Sequence, residues 1–202
     1  MVTGPENTGK SELAEAITRL GFNAVMAGRL RAAGMIRLID ETNGLLVLDG
    51  VDGIGRSSIS GPGDLAQTLR MSYKRSTAAK PLADRQGRVR IANFFGPKVL
   101  TSTLGADASL ISRLLTIQTQ TVDQCTDVRT SRSWSESDVN ELRDELHCWG
   151  LSEAGLVGEA YRSTGLMYQN RRQEIIAPIL ALASYSRDED WKGRVELALR
   201  ES

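Results

Sequence analysis

The sequence is poor in the residues that build disulfide frameworks and metal sites. Its 202 residues include two cysteines, Cys125 and Cys148, and one histidine, His147. The cysteines form neither a metal-binding spacing nor a disulfide framework, which is typical of a reducing compartment, so we expect a cytoplasmic location. A single histidine excludes a multi-histidine metal site and argues against a Ser-His-Asp hydrolase.

Long apolar runs and net charge are also missing. No apolar run approaches the roughly 18 residues of a membrane-spanning helix, so none is predicted. The 25 Lys and Arg residues balance 25 Asp and Glu residues, so the overall charge does not indicate a partner. The charge is uneven, however, because residues 70–98 contain eight bases and one acid, whereas acids predominate after Trp134. This asymmetry favours either polyanion binding or packing between subunits.

Alternating apolar segments predict an α/β fold with a mostly parallel sheet flanked by helices. The continuous apolar run at 45–48 is typical of a strand buried on both faces. Residues 76–87 are expected to form an exposed basic loop. The expected helices are 9–20, 30–41 and 62–73, and the expected strands are 24–27, 45–48, 89–95, 98–103 and 114–122.

The composition changes after Val122. Residues 123–136 are polar and lack periodicity, which predicts a linker between a core domain at 1–122 and a helical lid at 137–202. Within the lid, Ser137 is the expected N-cap of one helix, and a last helix is expected at 171–184.

The segment GPENTGKS fits the phosphate-binding pattern G-x-x-x-x-G-K-[ST]. Gly4 and Gly9 allow a tight turn whose N–H groups point at phosphate oxygens, next to the positive end of a helix. Lys10 is expected to reach the β- and γ-phosphates, and the Ser11 hydroxyl to bind Mg²⁺. The predicted nucleotide-binding residues here are Gly4, Pro5, Glu6, Asn7, Thr8, Gly9, Lys10, Ser11 and Glu12.

Two aspartates follow the apolar strand at 45–48. Asp49 ends the run LLVLD, where a second carboxylate would hold Mg²⁺ through water, although it is alternatively an ordinary strand-end cap. Hydrolytic proteins with this phosphate-binding pattern usually carry Glu directly after this aspartate, to orient the attacking water. This chain has Gly50 there. Asp52 is the nearest carboxylate and is the candidate for that catalytic role.

The strand that normally leads into a phosphate loop is nearly absent. Only Met1, Val2 and Thr3 precede the loop, and losing a central strand would leave the sheet short of pairing and burial. We therefore expect the chain to be a piece of a longer protein or to borrow the strand from elsewhere.

The order of five segments resembles a family of helicase-like P-loop ATPase domains of unknown function, found in phage, plasmid and other mobile-element replication proteins. The segments are GPENTGKS, GLLVLDGVD, FFGPKVLTST, LISRLLTIQ and NRRQEIIAPILALA…DW, and together they cover nearly the whole chain. The family is similar to AAA+ and superfamily-3 helicases. The resemblance implies an ASCE/AAA+-like P-loop fold with ATP and Mg²⁺ as cofactors. It also implies DNA as partner and a ring-shaped homo-oligomer, such as a hexamer.

The resemblance also implies residue roles. Thr101 or Ser102 matches a polar sensor of the γ-phosphate at the end of a central strand. Arg113 matches an arginine that often reaches a neighbouring subunit's γ-phosphate, and Arg171 and Arg172 match a lid position that contacts the nucleotide in cis. The alternative for Thr101 and Ser102 is that they are ordinary strand residues. The alternative for Arg113 is that it forms a surface salt bridge.

The basic segment lies between the Asp49 strand and the sensor strand. In DNA-translocating relatives, loops in this region line a central pore, and bases there would bind phosphates without reading sequence. A solvated loop or an acidic protein partner is the alternative. The candidate DNA contacts are Lys74, Arg75, Lys80, Arg85, Arg88 and Arg90.

The leading hypothesis is a DNA-acting, ATP-hydrolysing motor domain in the replication of a mobile element or virus. One alternative is a nucleotide-dependent switch or scaffold that hydrolyses slowly because Gly50 replaces the water-orienting Glu. Another alternative is a small-molecule or nucleoside kinase.

Overall fold

The computed structural model describes residues 1–55, 64–83, 86–121, 134–165, 171–186 and 188–201. Strands and helices alternate along the first two thirds of the chain, and helices alone follow. The strands are β1 (Val2–Thr3), β2 (Val25–Ala27), β3 (Leu46–Leu48), β4 (Ala79–Ala83), β5 (Val89–Asn93), β6 (Lys98–Ser102) and β7 (Ile117–Gln118). The helices are α1 (Lys10–Leu20), α2 (Ala32–Thr42), α3 (Asp64–Met71), α4 (Ala108–Ile111), α5 (Glu136–Gly165), α6 (Arg171–Tyr185) and α7 (Glu189–Glu201).

Five strands form a parallel sheet in the order β2-β3-β6-β1-β7. Each neighbouring pair is parallel, with Val47 opposite both Met26 and Val99, for example. The predicted α/β fold with a parallel sheet flanked by helices is therefore confirmed. Strand β6, which carries Thr101, lies between β3 and β1, so the carboxyl ends of these three strands meet at one edge.

Strand β1 is short but central. Val2 pairs with Thr101 on one side and with Ile117 on the other, and its side chain is 2% exposed. Two residues therefore give the phosphate-loop segment a strand that is paired on both edges. The expectation that the chain belongs to a longer protein stays a prediction.

The core lies between α2 and the sheet. Met35, Ile36 and Ile39 form the buried face of α2, at the spacing that a helix requires. All three residues of β3 are buried, which explains why this strand has no polar alternation. Phe94, just before β6, is 1% exposed and belongs to the same cluster.

The predicted basic loop at 76–87 is wrong for residues 79–83. These residues form β4, which pairs antiparallel with β5 as a separate two-stranded sheet. The predicted strand at 89–95 therefore joins this hairpin and not the parallel sheet. Alanine and Pro81 give β4 little strand propensity, but an edge strand tolerates proline because its outer N–H groups need no partner.

The C-terminal helices are more extensive than predicted. Helix α5 has 30 residues, and α7 is an additional helix that the sequence patterns do not predict. Helix α5 begins at Glu136, and Ser135 caps it, because the Asp138 N–H donates to the Ser135 hydroxyl at 3.1 Å. The expected N-cap at Ser137 is therefore wrong.

Most of the predicted linker, at residues 123–133, lies outside the described residues. The boundaries between core, linker and lid stay a prediction. Among the described helices, none combines the length and the apolar character needed to cross a membrane.

Candidate nucleotide-binding site

A cavity of about 250 Å³ opens at the carboxyl edge of the parallel sheet. It is formed by the segment after β1 and by the residues that end or follow β3 and β6. Its lining residues are Glu6, Asn7, Lys10, Ser11, Asp49, Gly50, Thr101, Ser102 and Thr103. Residues from the phosphate-loop pattern and from the predicted strand ends therefore meet in one place.

The two glycines of the pattern have the backbone freedom that the loop requires. Gly4 has φ 153°, and a Cβ there would lie 2.4 Å from the carbonyl oxygen of Thr119. Gly9 has φ 76° and precedes the first turn of α1. Asn7, at φ 58°, is the third left-handed position in the loop. A loop of this kind brings backbone N–H groups to the N-terminus of a helix.

The Lys10 ammonium lies over the loop. It donates to the Gly4 carbonyl at 3.0 Å and to the Pro5 carbonyl. Within the described ranges, no carboxylate forms an ion pair with Lys10. The positive charge therefore remains available to an anion in the cavity.

Asp49 joins the phosphate loop to the central strand. The Ser11 hydroxyl donates to Oδ1 and Oδ2 of Asp49 at 3.1 and 3.2 Å. Thr101, which is 2% exposed, donates from its hydroxyl to Oδ1 of the same carboxylate. It also accepts a hydrogen bond from the Gly50 N–H at 2.8 Å. Thr101 thereby fixes both the carboxylate and the backbone that follows it.

Asp52 is held by the residues that follow β6. Its Oδ1 accepts from the Ser102 hydroxyl at 2.9 Å and from the N–H groups of Thr103 and Leu104. The Ser102 hydrogen bond, together with these N–H groups and the charge of Lys10, holds the pKa of Asp52 below its usual value. Asp52 is therefore an anchored carboxylate near the cavity.

The donor set fits a magnesium ion held jointly with a phosphate ligand. Ser11 and Asp49 supply a hydroxyl and a carboxylate within hydrogen-bond distance of each other. Among the described residues there is no cluster of three or more His, Cys, Asp or Glu side chains. Mg²⁺ commonly uses one or two carboxylates together with waters and substrate phosphates, so this sparse donor set suits it.

Thr119 is a site residue that sequence reasoning does not identify. Its hydroxyl is hydrogen-bonded to the Thr8 hydroxyl at 2.6 Å, and its backbone lies against Gly4. It directly follows β7, which pairs with β1. Its position after a parallel strand is the signal that places it at the same edge as the loop.

Arg113 lies away from this cavity. It lines a second cavity together with Lys98, the first residue of β6, and therefore lies near the edge where the parallel strands begin. Its guanidinium is 5.6 Å from the centre of the Tyr73 ring. The structure does not bring Arg113 to the loop of its own chain, and its role stays a prediction.

The two lid arginines also lie elsewhere. Arg171 donates to the Ser112 hydroxyl at 3.2 Å, and Arg172 donates to the Leu199 carbonyl at 2.9 Å. Neither lines the cavity at Lys10. Their predicted contact with a nucleotide in cis stays a prediction.

Three of the candidate DNA contacts lie against other side chains. Lys74 pairs with Glu174 of α6 at 2.9 Å, and Arg90 pairs with Asp40 of α2. The guanidinium of Arg75 lies 4.8 Å from the centre of the Phe95 ring.

Two further described candidates lie on or next to the β4–β5 hairpin. Lys80 lies on β4, and Arg88 directly precedes β5, where both are exposed. Arg85 lies outside the described residues. At least two of the described candidates, Lys74 and Arg90, are therefore already paired with acids.

A comparison with protein-family models found no match, and a comparison with curated proteins found none.

Proposed function

We propose that the chain is an ATP-binding and ATP-hydrolysing domain of the ASCE/AAA+-like P-loop class. The observation that carries the proposal is the convergence of Lys10, Ser11 and Thr101 on the loop and on Asp49. A lysine ammonium, a hydroxyl and a carboxylate at the N-terminus of a helix suit a triphosphate with its divalent ion. The position of β6 between β1 and β3 supports the same class.

Each residue has a distinct part in the proposed hydrolysis. Lys10 and the loop N–H groups bind and orient the β- and γ-phosphates. Ser11 and Asp49 hold Mg²⁺, which supplies charge neutralisation for the transferring phosphoryl group. Thr101 positions Asp49 and is the γ-phosphate sensor candidate, while Asp52 orients the attacking water.

The proposed nucleic-acid partner is DNA, bound without sequence preference. Exposed Lys80, Arg75 and Arg88 support this assignment, because cations at such positions bind phosphates. The cavity that Arg113 lines shares no residue with the cavity at Lys10, so any role of Arg113 on a nucleotide would be on that of a neighbouring copy. A homo-oligomeric, helicase-like motor in mobile-element or viral replication therefore stays the leading proposal.

A slow-hydrolysing switch or scaffold is the first alternative, and Gly50 favours it. Gly50 has φ 70°, so a Glu at this position would be strained. Asp52 is the substitute, but one of its oxygens already accepts three hydrogen bonds. ATP binding with little turnover would support this alternative.

A small-molecule or nucleoside kinase is the second alternative. Such an enzyme needs an acceptor pocket beside the γ-phosphate. A cavity of about 720 Å³ is lined by Arg113 and by Phe95, which precedes β6. It therefore lies near the opposite edge of the sheet from Lys10, which is the wrong edge for an acceptor.

The deciding experiment measures ATP hydrolysis by the purified chain with and without single- and double-stranded DNA, alongside its mass in ATP. Turnover stimulated by DNA, together with an oligomer, is expected from the motor. Tight ATP binding without hydrolysis would contradict the motor and support the switch. Turnover that requires a small-molecule acceptor would replace both with the kinase.

A further inference from the structure

A cavity of about 720 Å³ lies between the core and the C-terminal helices. It does not share any lining residue with the cavity at Lys10. Its core side comes from the segment after α3 and from Phe95, and its other side comes from α5 and α6. Of the residues that line it, Arg113 alone also has a part in the proposed hydrolysis, on the nucleotide of a neighbouring copy.

Three aromatic rings line this cavity. Tyr73 and Phe95 come from the core, and Tyr161 comes from α5. Phe95 is 36% exposed and Tyr161 is 42% exposed, so both present ring surface to solvent. In a chain with only 5% aromatic residues, three rings around one cavity form a concentrated stacking surface.

Two arginines lie on these rings. The Arg75 guanidinium is 4.8 Å from the Phe95 ring centre, and the Arg113 guanidinium is 5.6 Å from the Tyr73 ring centre. A guanidinium is a planar cation on which a nucleobase can stack. Arg75 is exposed and lines the cavity.

A polar atom of one lining residue also lacks a partner. The Nε of Arg113 is buried and has no hydrogen-bond acceptor among the described residues. A buried donor of this kind destabilises the protein unless a ligand or water satisfies it. A phosphate oxygen is a strong acceptor for a guanidinium.

We propose that this cavity binds a nucleotide unit, with its base stacked against Arg75, Phe95 and Tyr161 and its phosphate facing Arg113. The unit comes either from a single strand of DNA or from a free mononucleotide. Only the first source depends on the proposed action on DNA. The aromatic and cationic surface suits both sources, because each presents a planar base beside a phosphate.

The test uses the full chain and anisotropy of a fluorescein-labelled oligo-dT. Arg75→Ala and Tyr161→Leu should each weaken binding roughly tenfold, since each removes one stacking partner of the base. Arg75→Lys should weaken binding nearly as much, because it keeps the charge but loses the plane. Arg37→Ala is the matched control, since Arg37 is exposed on α2 and lines neither cavity, and it should bind as the wild type does.

An abasic oligonucleotide of the same length tests whether the base is recognised. The wild type should bind it as weakly as Arg75→Ala binds oligo-dT. Equal wild-type affinity for the two oligonucleotides, or wild-type binding of oligo-dT by both Arg75→Ala and Tyr161→Leu, would overturn the proposal. Circular dichroism of each variant checks that the fold is retained.

A fluorescent ATP analogue distinguishes the two sources of the nucleotide. In Lys10→Ala, the phosphate loop is disabled, so binding that remains and is lost on adding Arg75→Ala assigns the cavity to a free mononucleotide. Oligo-dT binding that depends on Arg75, without such analogue binding, assigns it to a strand. If DNA-stimulated hydrolysis is normal but the cavity variants bind like the wild type, only this inference fails. If hydrolysis is absent but the variants lose binding, only the proposed function fails.

Discussion

The Ser11 hydroxyl donates to both carboxylate oxygens of Asp49, at 3.1 and 3.2 Å, across a sequence separation of 38 residues. This contact joins the first turn of α1 to the end of β3. It places a hydroxyl beside a carboxylate, as the proposed Mg²⁺ site requires.

Replacing Ser11 tests that pairing. Ser11→Ala removes the hydroxyl, so Mg²⁺-dependent ATP binding should weaken by at least about tenfold, as expected for a lost contact with a charged group. Ser11→Thr keeps the hydroxyl and should bind ATP nearly as the wild type does. Calorimetric titration with and without Mg²⁺ measures both. Equal Mg²⁺ dependence in Ser11→Ala and the wild type would remove Ser11 from the metal site.

Gly4 is expected to be irreplaceable for steric reasons. In Gly4→Ala, the new Cβ would lie 2.4 Å from the Thr119 carbonyl oxygen, so the loop or the segment after β7 must shift. We expect a loss of about 1–3 kcal/mol in the free energy of unfolding, the usual range for overpacking. Gly28→Ala is the control, since a Cβ at Gly28 meets nothing within 4 Å. Urea denaturation that gives equal losses for both variants would contradict the close approach of Gly4 to Thr119.

Sequence patterns predict the part of the site that depends on local rules. The spacing of Gly4, Gly9, Lys10 and Ser11 is contiguous, and Asp49 ends a fully apolar run, so both positions can be inferred without knowing the pairing. The five-stranded parallel sheet is predictable in type for the same reason. Its strand order depends on contacts between distant segments.

The parts that sequence patterns miss depend on long-range contacts or on weak propensities. Thr119 meets Thr8 across 111 residues and belongs to no motif. Strand β4 consists of small residues and a proline, so pairing with β5 decides its structure more than its own propensity does. Helix α7 leaves Trp191 and Leu197 exposed, and Val195 is its buried residue among those that the structure describes.

Lys98 is expected to make the free energy of unfolding depend on pH in the alkaline range. Burial lowers the pKa of its amine from 10.5 to about 8. Between these values the unfolded chain holds a proton that the folded chain has lost, so the free energy of unfolding should rise with pH from about 8 to 10.5. Lys98→Met removes this titration.

The comparison between the two proteins isolates the contribution of Lys98. The stability of the wild type relative to Lys98→Met should increase by about 1–3 kcal/mol over that range, a partial value because the amine is not fully buried. Denaturant titrations at several pH values measure the difference. Parallel stability curves for the two proteins would mean that Lys98 keeps an ordinary pKa when folded.

Arg113 allows a test of catalysis between copies. Because it lies away from Lys10 of its own chain, any contact with a γ-phosphate should be made in a neighbouring copy. Arg113→Ala and Lys10→Ala should each lose ATP hydrolysis, but mixing them should partly restore it. Mixed samples that stay as inactive as the separate variants, despite forming oligomers by mass, would exclude action in trans.

The most direct test of the central claim is calorimetric titration of the wild type and Lys10→Ala with ATP and Mg²⁺. Lys192→Ala is the control, since it removes the same charge from α7, which contributes no residue to the cavity at Lys10. Saturable binding with a stoichiometry of one by the wild type and Lys192→Ala, weakened at least about tenfold in Lys10→Ala, is the predicted result. Equal binding by all three proteins, or no binding by the folded wild type, would contradict the assignment of the Lys10 cavity to a nucleotide.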